Sequence, residues 1–364
     1  MGFKTPAGQA VANHATQDRE AQDRELCKRW LPGVSRTFAL SIEGLPATLR
    51  RAVRVSYLLC RVVDTVEDGE QVDLRCRLAL FELFDDLLQH DDRDPDPFEL
   101  LCRDAMEQVV PAERELCVGA GAVFREFRRL PPKQRTVICP SVQEMSSGMR
   151  EYVERAGDGG LQLSSMEDLE RYCYFVAGTV GNLLTGLFLQ QVDRCAEETR
   201  AAIAERAISF GLGLQMVNIV KDVAADMARG NHCFLPRQLV QRSGLGPKGL
   251  LDPTQREPAL QVIRQVCVRA REHLVRAQEY TELWPVPDGL AVREFCAVPL
   301  ALALATLQQV ERGNDTLVQG RTPKVSREQV AELVADARQA VASNDALTRL
   351  FDRHRPAQVA PHSS

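Results

Sequence analysis

Asp64-Thr65-Val66-Glu67-Asp68 follows directly on an apolar run, Val53 to Val63, whose composition predicts a buried helix. Aspartates four residues apart lie on one helical face, with Glu67 beside them. Traced backwards from Asp68 through Asp64, the same stripe holds Arg61 and then Tyr57. Carboxylates at the end of an apolar helix lose hydration and need a partner. A hard divalent cation is one, because Mg2+ takes oxygen ligands from one or two carboxylates and completes its shell with water and phosphate oxygens. A solvated acidic helix end is the ordinary alternative, and one copy of the pattern does not decide between them.

A second copy does. Asp222-Val223-Ala224-Ala225-Asp226 repeats the i, i+4 spacing after another apolar run, Ile208 to Val220, and its stripe continues back through Asn218 and Gln215 with Lys221 alongside. Two separated helices of this kind point to facing carboxylate sets around one metal-bound diphosphate. Asp64, Glu67 and Asp68 form one set, and Asp222 and Asp226 the other.

The remaining composition narrows the class. At 364 residues the chain can bury a large helical core. A net charge of -5 argues against nucleic acid as a main partner, so an anionic substrate needs local neutralisation by metal and a few basic side chains. The 11 cysteines are dispersed, with no CxxC pair and no zinc-ligand spacing, and read as small buried apolar groups in a reducing compartment. Met1 to Gln22 has no apolar signal segment, and the best apolar run, Phe295 to Leu307, is about thirteen residues, short of a membrane span. These features predict a cytoplasmic protein whose membrane contact, if it has one, is peripheral.

The pattern along the chain is helical throughout. Residues 1–20 read as a polar flexible tail, 21–350 as one all-α domain, and 351–364 as a second polar tail. Pro32 and Gly33 are expected to stop a first helix, and Pro46 to open the one that carries the first acidic cluster. Leu74 to Gln89 has helical spacing and is closed by a charged loop, His90 to Pro97. Ser165 caps a long apolar helix to about Gln191, interrupted by Gly178, Gly181 and Gly186. Each glycine costs about 1 kcal/mol against Ala in a helix, which implies close packing or room for a ligand. Arg229 to Pro236 is a loop, helices follow at 259–283 and 291–312, and Ser326 with Gln329 boxes the start of a last helix to about Leu350.

Four motifs in this order resemble the squalene/phytoene synthase family over Glu25 to Leu307. They are Ser35-Arg36-Thr37-Phe38-Ala39, Tyr57 to Arg61 leading into the first cluster, Tyr172-Cys173-Tyr174-Phe175-Val176-Ala177-Gly178-Thr179-Val180-Gly181, and Gln215 to Asp222. Asp-Thr-Val-Glu-Asp and Phe295-Cys296-Ala297-Val298-Pro299 are similar to the squalene synthase branch, here of a soluble bacterial type. The resemblance implies an all-α isoprenoid synthase fold, a single domain around a central cavity, and a monomer. It implies Mg2+ on the acidic clusters, NADPH as reductant, and two farnesyl diphosphates joined head to head through presqualene diphosphate to squalene.

Residue by residue, the resemblance implies that Ser35, Arg36, Arg61, Lys221 and Gln215 serve the diphosphates. Tyr172, with Tyr57 and Arg61, serves the chemistry, and Asn218 and Arg29 the NADPH. Phe38, Phe175, Val176, Gly178, Leu183, Leu184 and Phe188 form the apolar tunnel. A non-reducing member making presqualene diphosphate, dehydrosqualene or phytoene is the alternative, and a non-catalytic assembly-factor relative a more distant one. The loop Arg229 to Pro236 departs from both branches of the family.

Overall fold

The computed structural model describes residues 6–355 other than 70, 193, 231, 247–248 and 313–321, and side chains from residue 17 onward except those of Arg36, Asp158 and Arg229. Among the described residues the regular structure is helical: α1 Pro6–Val34, α2 Arg36–Glu43, α3 Ala47–Glu67, α4 Leu74–Gln89, α5 Asp96–Ala105, α6 Pro111–Val118, α7 Ala120–Arg128, α8 Pro132–Ala156, α9 Met166–Cys173, α10 Thr179–Leu189, α11 Glu197–Gly230, α12 Arg237–Arg242, α13 Arg256–Leu283, α14 Leu290–Arg312, α15 Arg327–Ala340 and α16 Asn344–Asp352.

Local chemistry sets several of these starts. Ser35 Oγ accepts from the Phe38 N–H at 3.2 Å, Asp73 Oδ1 from the Arg75 N–H at 2.9 Å, and Ser326 and Gln329 form the reciprocal capping box. Apolar faces then assemble two contiguous layers. One is built on α1 to α8 and α10, through Leu58, Val62, Phe84 and Phe124; the other on α9, α11 and α13 to α16, through Met216, Val266, Leu300 and Phe351. Met166–Leu189 and Leu290–Arg312 are long and apolar enough to cross a membrane, but the second is 72% buried, so core packing accounts for its composition.

The glycine-rich segment departs from a plain helix. Between α9 and α10, Tyr174–Gly178 forms a π-helical turn, in which the Thr179 N–H reaches back to the Tyr174 carbonyl. A Cβ on Gly181 would come under 3.0 Å from the Ala207 carbonyl, and one on Gly211 under 3.0 Å from the Ala177 carbonyl, so α11 lies backbone to backbone against this segment. Close helix approach is the reason for these glycines.

Three boundaries differ from expectation. The chain is helical from Pro6, inside the stretch expected as a tail, because its Ala, Gln and Glu content favours helix. Pro32 does not stop α1, whose last turn continues to Val34 with Trp30 and Leu31 buried in the core. The last helix is two, α15 and α16, separated at Val341 to Ser343. Residues 356–364 of the expected C-terminal tail lie outside the described residues.

Candidate active site

A cavity of about 460 Å³, a size typical of small-molecule sites, opens between α2, α3, the α9–α10 segment, α11 and α14. Its lining changes character along two helices. On α3 it passes from Val53 and Ser56 through Tyr57 and Cys60 to Arg61, Asp64, Glu67 and Asp68; on α11 it passes from Phe210 and Leu214 through Gln215 and Asn218 to Lys221 and Asp222. Phe38, Val176, Leu183, Leu184 and Phe295 complete the apolar walls. Each helix therefore presents an apolar length and then a charged one to the same space.

The first acidic set is under-neutralised. Asp64 and Glu67 stand in the last turn of α3 and Asp68 is its C-cap, where the helix dipole is negative. Arg61 Nη1 pairs with Asp64 Oδ2 at 3.1 Å, and Arg61 Nη2 donates to the Tyr57 hydroxyl at 3.2 Å. Arg77 donates to the carbonyls of Val66 and Glu67 and caps the same end. Burial foremost, with Asp68 and Glu113 acting the same way against Arg61, pushes the Asp64 carboxyl up to about 7. Burial, then Asp68 and Asp64, pushes Glu67 well above the usual carboxylate range.

A cation in the cavity would relieve this charge, and the hard oxygen donors match Mg2+. Among the described residues no three His, Cys, Asp or Glu groups form a closed ligand set. Mg2+ needs none, since substrate phosphate and water complete its shell. Asp64, Asp68 and Asp222 are the residues that fit it.

Tyr172 stands against the first acidic set. Its hydroxyl donates to Glu67 Oε1 at 3.1 Å, its ring is 3% exposed, and burial pushes the phenol well above its ordinary pKa. From the loop after α11, Phe234 packs on the same ring. Lys221 Nζ lies 3.1 Å from Asp222 Oδ2 and donates to Asn218 Oδ1 at 3.4 Å.

Several expected site residues fall elsewhere. Asp226 lines a separate small recess with Ile219, Val223, Met227, His232 and Phe234. Ser35 caps α2 and is not on the cavity wall, while the side chain of Arg36 lies outside the described residues. Arg29 is exposed on α1, paired with Glu115 at 2.8 Å, so it does not share the cavity with Asn218.

In the expected tunnel, Phe175 instead fills the space over Gly148, with the Arg171 guanidinium 5.0 Å from its ring centroid. Gly178 is buried against Tyr174, Leu212 and Ile208, and Phe188 stands behind the wall, 5.3 Å from Phe295. Phe38, Val176, Leu183 and Leu184 do line the cavity.

Wall residues not anticipated include Val53, Ser56, Cys60, Phe210 and Leu214. The stripe 210, 214, 218, 222 on α11 carried the last two in plain i, i+4 spacing. Glu113 on α6, whose Oε1 lies 3.9 Å from Arg61, had no sequence signal.

Comparison with known proteins agrees with this geometry. A family model described as squalene/phytoene synthase matches residues 31–329. Squalene synthase of Schizosaccharomyces pombe is 29% identical over 309 residues, 84% of this chain and 63% of that protein, so the chain spans just under two thirds of that relative. Human squalene synthase is 26% identical over 335 residues, 92% of this chain and 74% of that protein. A solved structure described as TcSQS with the ligand BPH1237 superposes with a TM-score of 0.77 at 26% identity, covering 93% of this chain and 94% of that one. A dehydrosqualene synthase complex shares the fold at 21% identity and a TM-score of 0.60, covering 88% of this chain and 97% of that one. The architecture is the all-α isoprenoid synthase fold, and with the family model covering most of its length the chain belongs to the squalene/phytoene synthase family.

Proposed function

We propose that the protein joins two farnesyl diphosphates head to head through presqualene diphosphate and reduces the product to squalene with NADPH. One observation carries the reading: a single cavity has carboxylates from both acidic helices, with Arg61 and Lys221, continuous with apolar walls from Phe38 to Phe295. Two allylic diphosphates need both kinds of surface at once, a charged end for the leaving groups and a dry interior for carbocations.

Mg2+, when bound, neutralises the diphosphate so that the allylic C–O bond can ionise. The protein's residues do the rest. Asp64, Asp68 and Asp222 hold the cation, and Arg61 and Lys221 donate to phosphate oxygens. Arg61 is held for this by Tyr57 and Asp64. Tyr172, whose hydroxyl donates to Glu67 beside the first acidic set, can take on its phenol oxygen the proton lost when the cyclopropane closes while passing its own proton to the Glu67 carboxylate. Leu183, Leu184, Phe210 and Phe295 exclude water from the cation. NADPH supplies the hydride of the second half-reaction; Asn218 borders the cavity and fits that role, whereas Arg29 faces outward and does not. The reading takes the enzyme as a cytoplasmic monomer touching membranes peripherally.

Incubation of purified protein with farnesyl diphosphate and Mg2+, with and without NADPH, tests it by mass spectrometry of the extracted lipids. Squalene that depends on NADPH is the expected result. Presqualene diphosphate or dehydrosqualene in both incubations would assign the protein to the non-reducing members, and no product would refute the condensation.

A further inference from the structure

The loop after the second acidic helix departs from the family's sequence pattern, and it brings an aromatic side chain against Tyr172. The Phe234 and Tyr172 ring centroids are 5.1 Å apart at 31°, and Tyr152 meets Tyr172 edge-on at 5.1 Å and 79°. His232 stacks on Phe234 at 6.0 Å and 17°. Tyr152, Tyr172, Phe234 and His232 thus form one column, with the hydroxyl of its second ring on Glu67.

Both ends of the column are fastened to one short segment. The Tyr152 hydroxyl donates to Asp168 Oδ1 at 2.9 Å, and Arg155, over the Tyr152 ring at 5.0 Å, donates to the Gln162 carbonyl at 2.8 Å. At the other end His232 Nδ1 accepts from the Leu161 N–H at 3.1 Å, and the Cys233 N–H donates to the Leu161 carbonyl at 2.9 Å. A tyrosine's ring torsion is broad, so one hydrogen bond to Glu67 leaves the hydroxyl only as well placed as its ring packing. Tyr152 belongs to the α8 scaffold, while the other contact comes from a loop outside the cavity wall.

We propose that Phe234 is a positioning residue for Tyr172, clamping the ring against Tyr152 so that the hydroxyl stays on Glu67 at the charged end of the cavity. This rests on Tyr172 working in the condensation proposed above. Phe234 itself borders the Asp226 recess and is not on the cavity wall.

Two measurements decide it, with far-ultraviolet circular dichroism checking that each variant folds. In the first, Phe234→Leu lowers kcat about tenfold with KM for farnesyl diphosphate unchanged, as expected for a displaced reacting group. Phe234→Tyr, which keeps a ring, restores the rate, and in a Tyr172→Phe background Phe234→Leu brings no further loss. Equal losses in both backgrounds would overturn the proposal. In the second, which needs no turnover, the protein is labelled with ζ-13C tyrosine, one carbon per ring; the five tyrosines give five signals, Tyr172→Phe assigns one, and Phe234→Tyr adds a sixth. That signal shifts in Phe234→Leu and stays in Phe234→Tyr, and a signal unmoved in Phe234→Leu refutes the clamp. A wild-type enzyme with no product would sink the proposed function while the resonance still decides the positioning.

Discussion

Gly211→Ala tests the contact that shapes one wall of the cavity. Gly211 lies inside α11, where exchange for Ala in open surroundings would gain about 1 kcal/mol. Here the added Cβ falls under 3.0 Å from three backbone atoms, the Ala177 oxygen and carbon and the Gly178 nitrogen, none of which can rotate away. Ordinary carbon contact begins near 3.5 Å, so α11 and the π-helical turn must part by about 1 Å. Overpacking of this kind costs about 1–3 kcal/mol, and backbone neighbours put the case at the upper end. After the propensity gain, the expected net destabilisation is about 2 kcal/mol. Ala177 and Gly211 both border the cavity, so turnover falls as well, up to about 100-fold for a misplacement near 1 Å. Denaturant unfolding of the purified variant, followed by circular dichroism, gives the stability change. Gly159→Ala is the control, since nothing stands within 4 Å of its added carbon. A Gly211→Ala protein as stable as wild type would show that the two backbones do not touch, and the account of the glycines would fall.

The remaining predictions concern charge. Asp64 has a raised carboxyl pKa, so the folded chain holds an extra proton between about pH 4 and pH 7 and metal-free stability falls as pH rises through that window. Asp64→Asn flattens that slope in pH-dependent unfolding while cutting Mg2+-dependent turnover at least about 100-fold; retained turnover would remove Asp64 from the metal site. Asp23, 1% exposed, accepts from Arg125 at 2.7 Å and Arg129 at 2.8 Å, and these bonds outweigh its burial to lower its pKa. Its contribution is therefore full above about pH 4 and is lost as pH falls through the depressed value. Asp23→Ala strands Arg125, while Arg129 keeps Glu126 at 3.0 Å, and costs about 3 kcal/mol at neutral pH in denaturant unfolding; a loss under about 0.5 kcal/mol would rule the network out as a support of α1 on α7. Tyr172→Phe keeps the fold and lowers the rate of presqualene diphosphate formation by a factor of about 100 or more in single-turnover assays; an unchanged rate would discard it as the proton acceptor.

Part of the site was legible because a helix is periodic. Tyr57, Arg61, Asp64 and Asp68 share a stripe by counting, as do Gln215, Asn218 and Asp222, and all seven reach the cavity. The same rule applied one step further placed Asp226 with them, and there the side chain borders another recess, walled by His232 and Phe234 from the loop that follows. Phe175 and Phe188 show the second limit. An aromatic on an apolar helix has the same sequence signature whether it faces a cavity or a neighbouring helix, and only Gly148 and Phe295 across the interface decide.

The sequence by itself determined the helical class, the caps at Ser165 and Ser326, and the acidic stretches of α3 and α11, since each depends on interactions within a few residues. Tertiary structure alone decided the π-helical turn at Tyr174–Gly178, the Tyr172 to Glu67 bond across 105 positions, and the nearness of Glu113 to Arg61. These are meetings of surfaces far apart in the chain, and no local periodicity encodes which surfaces meet.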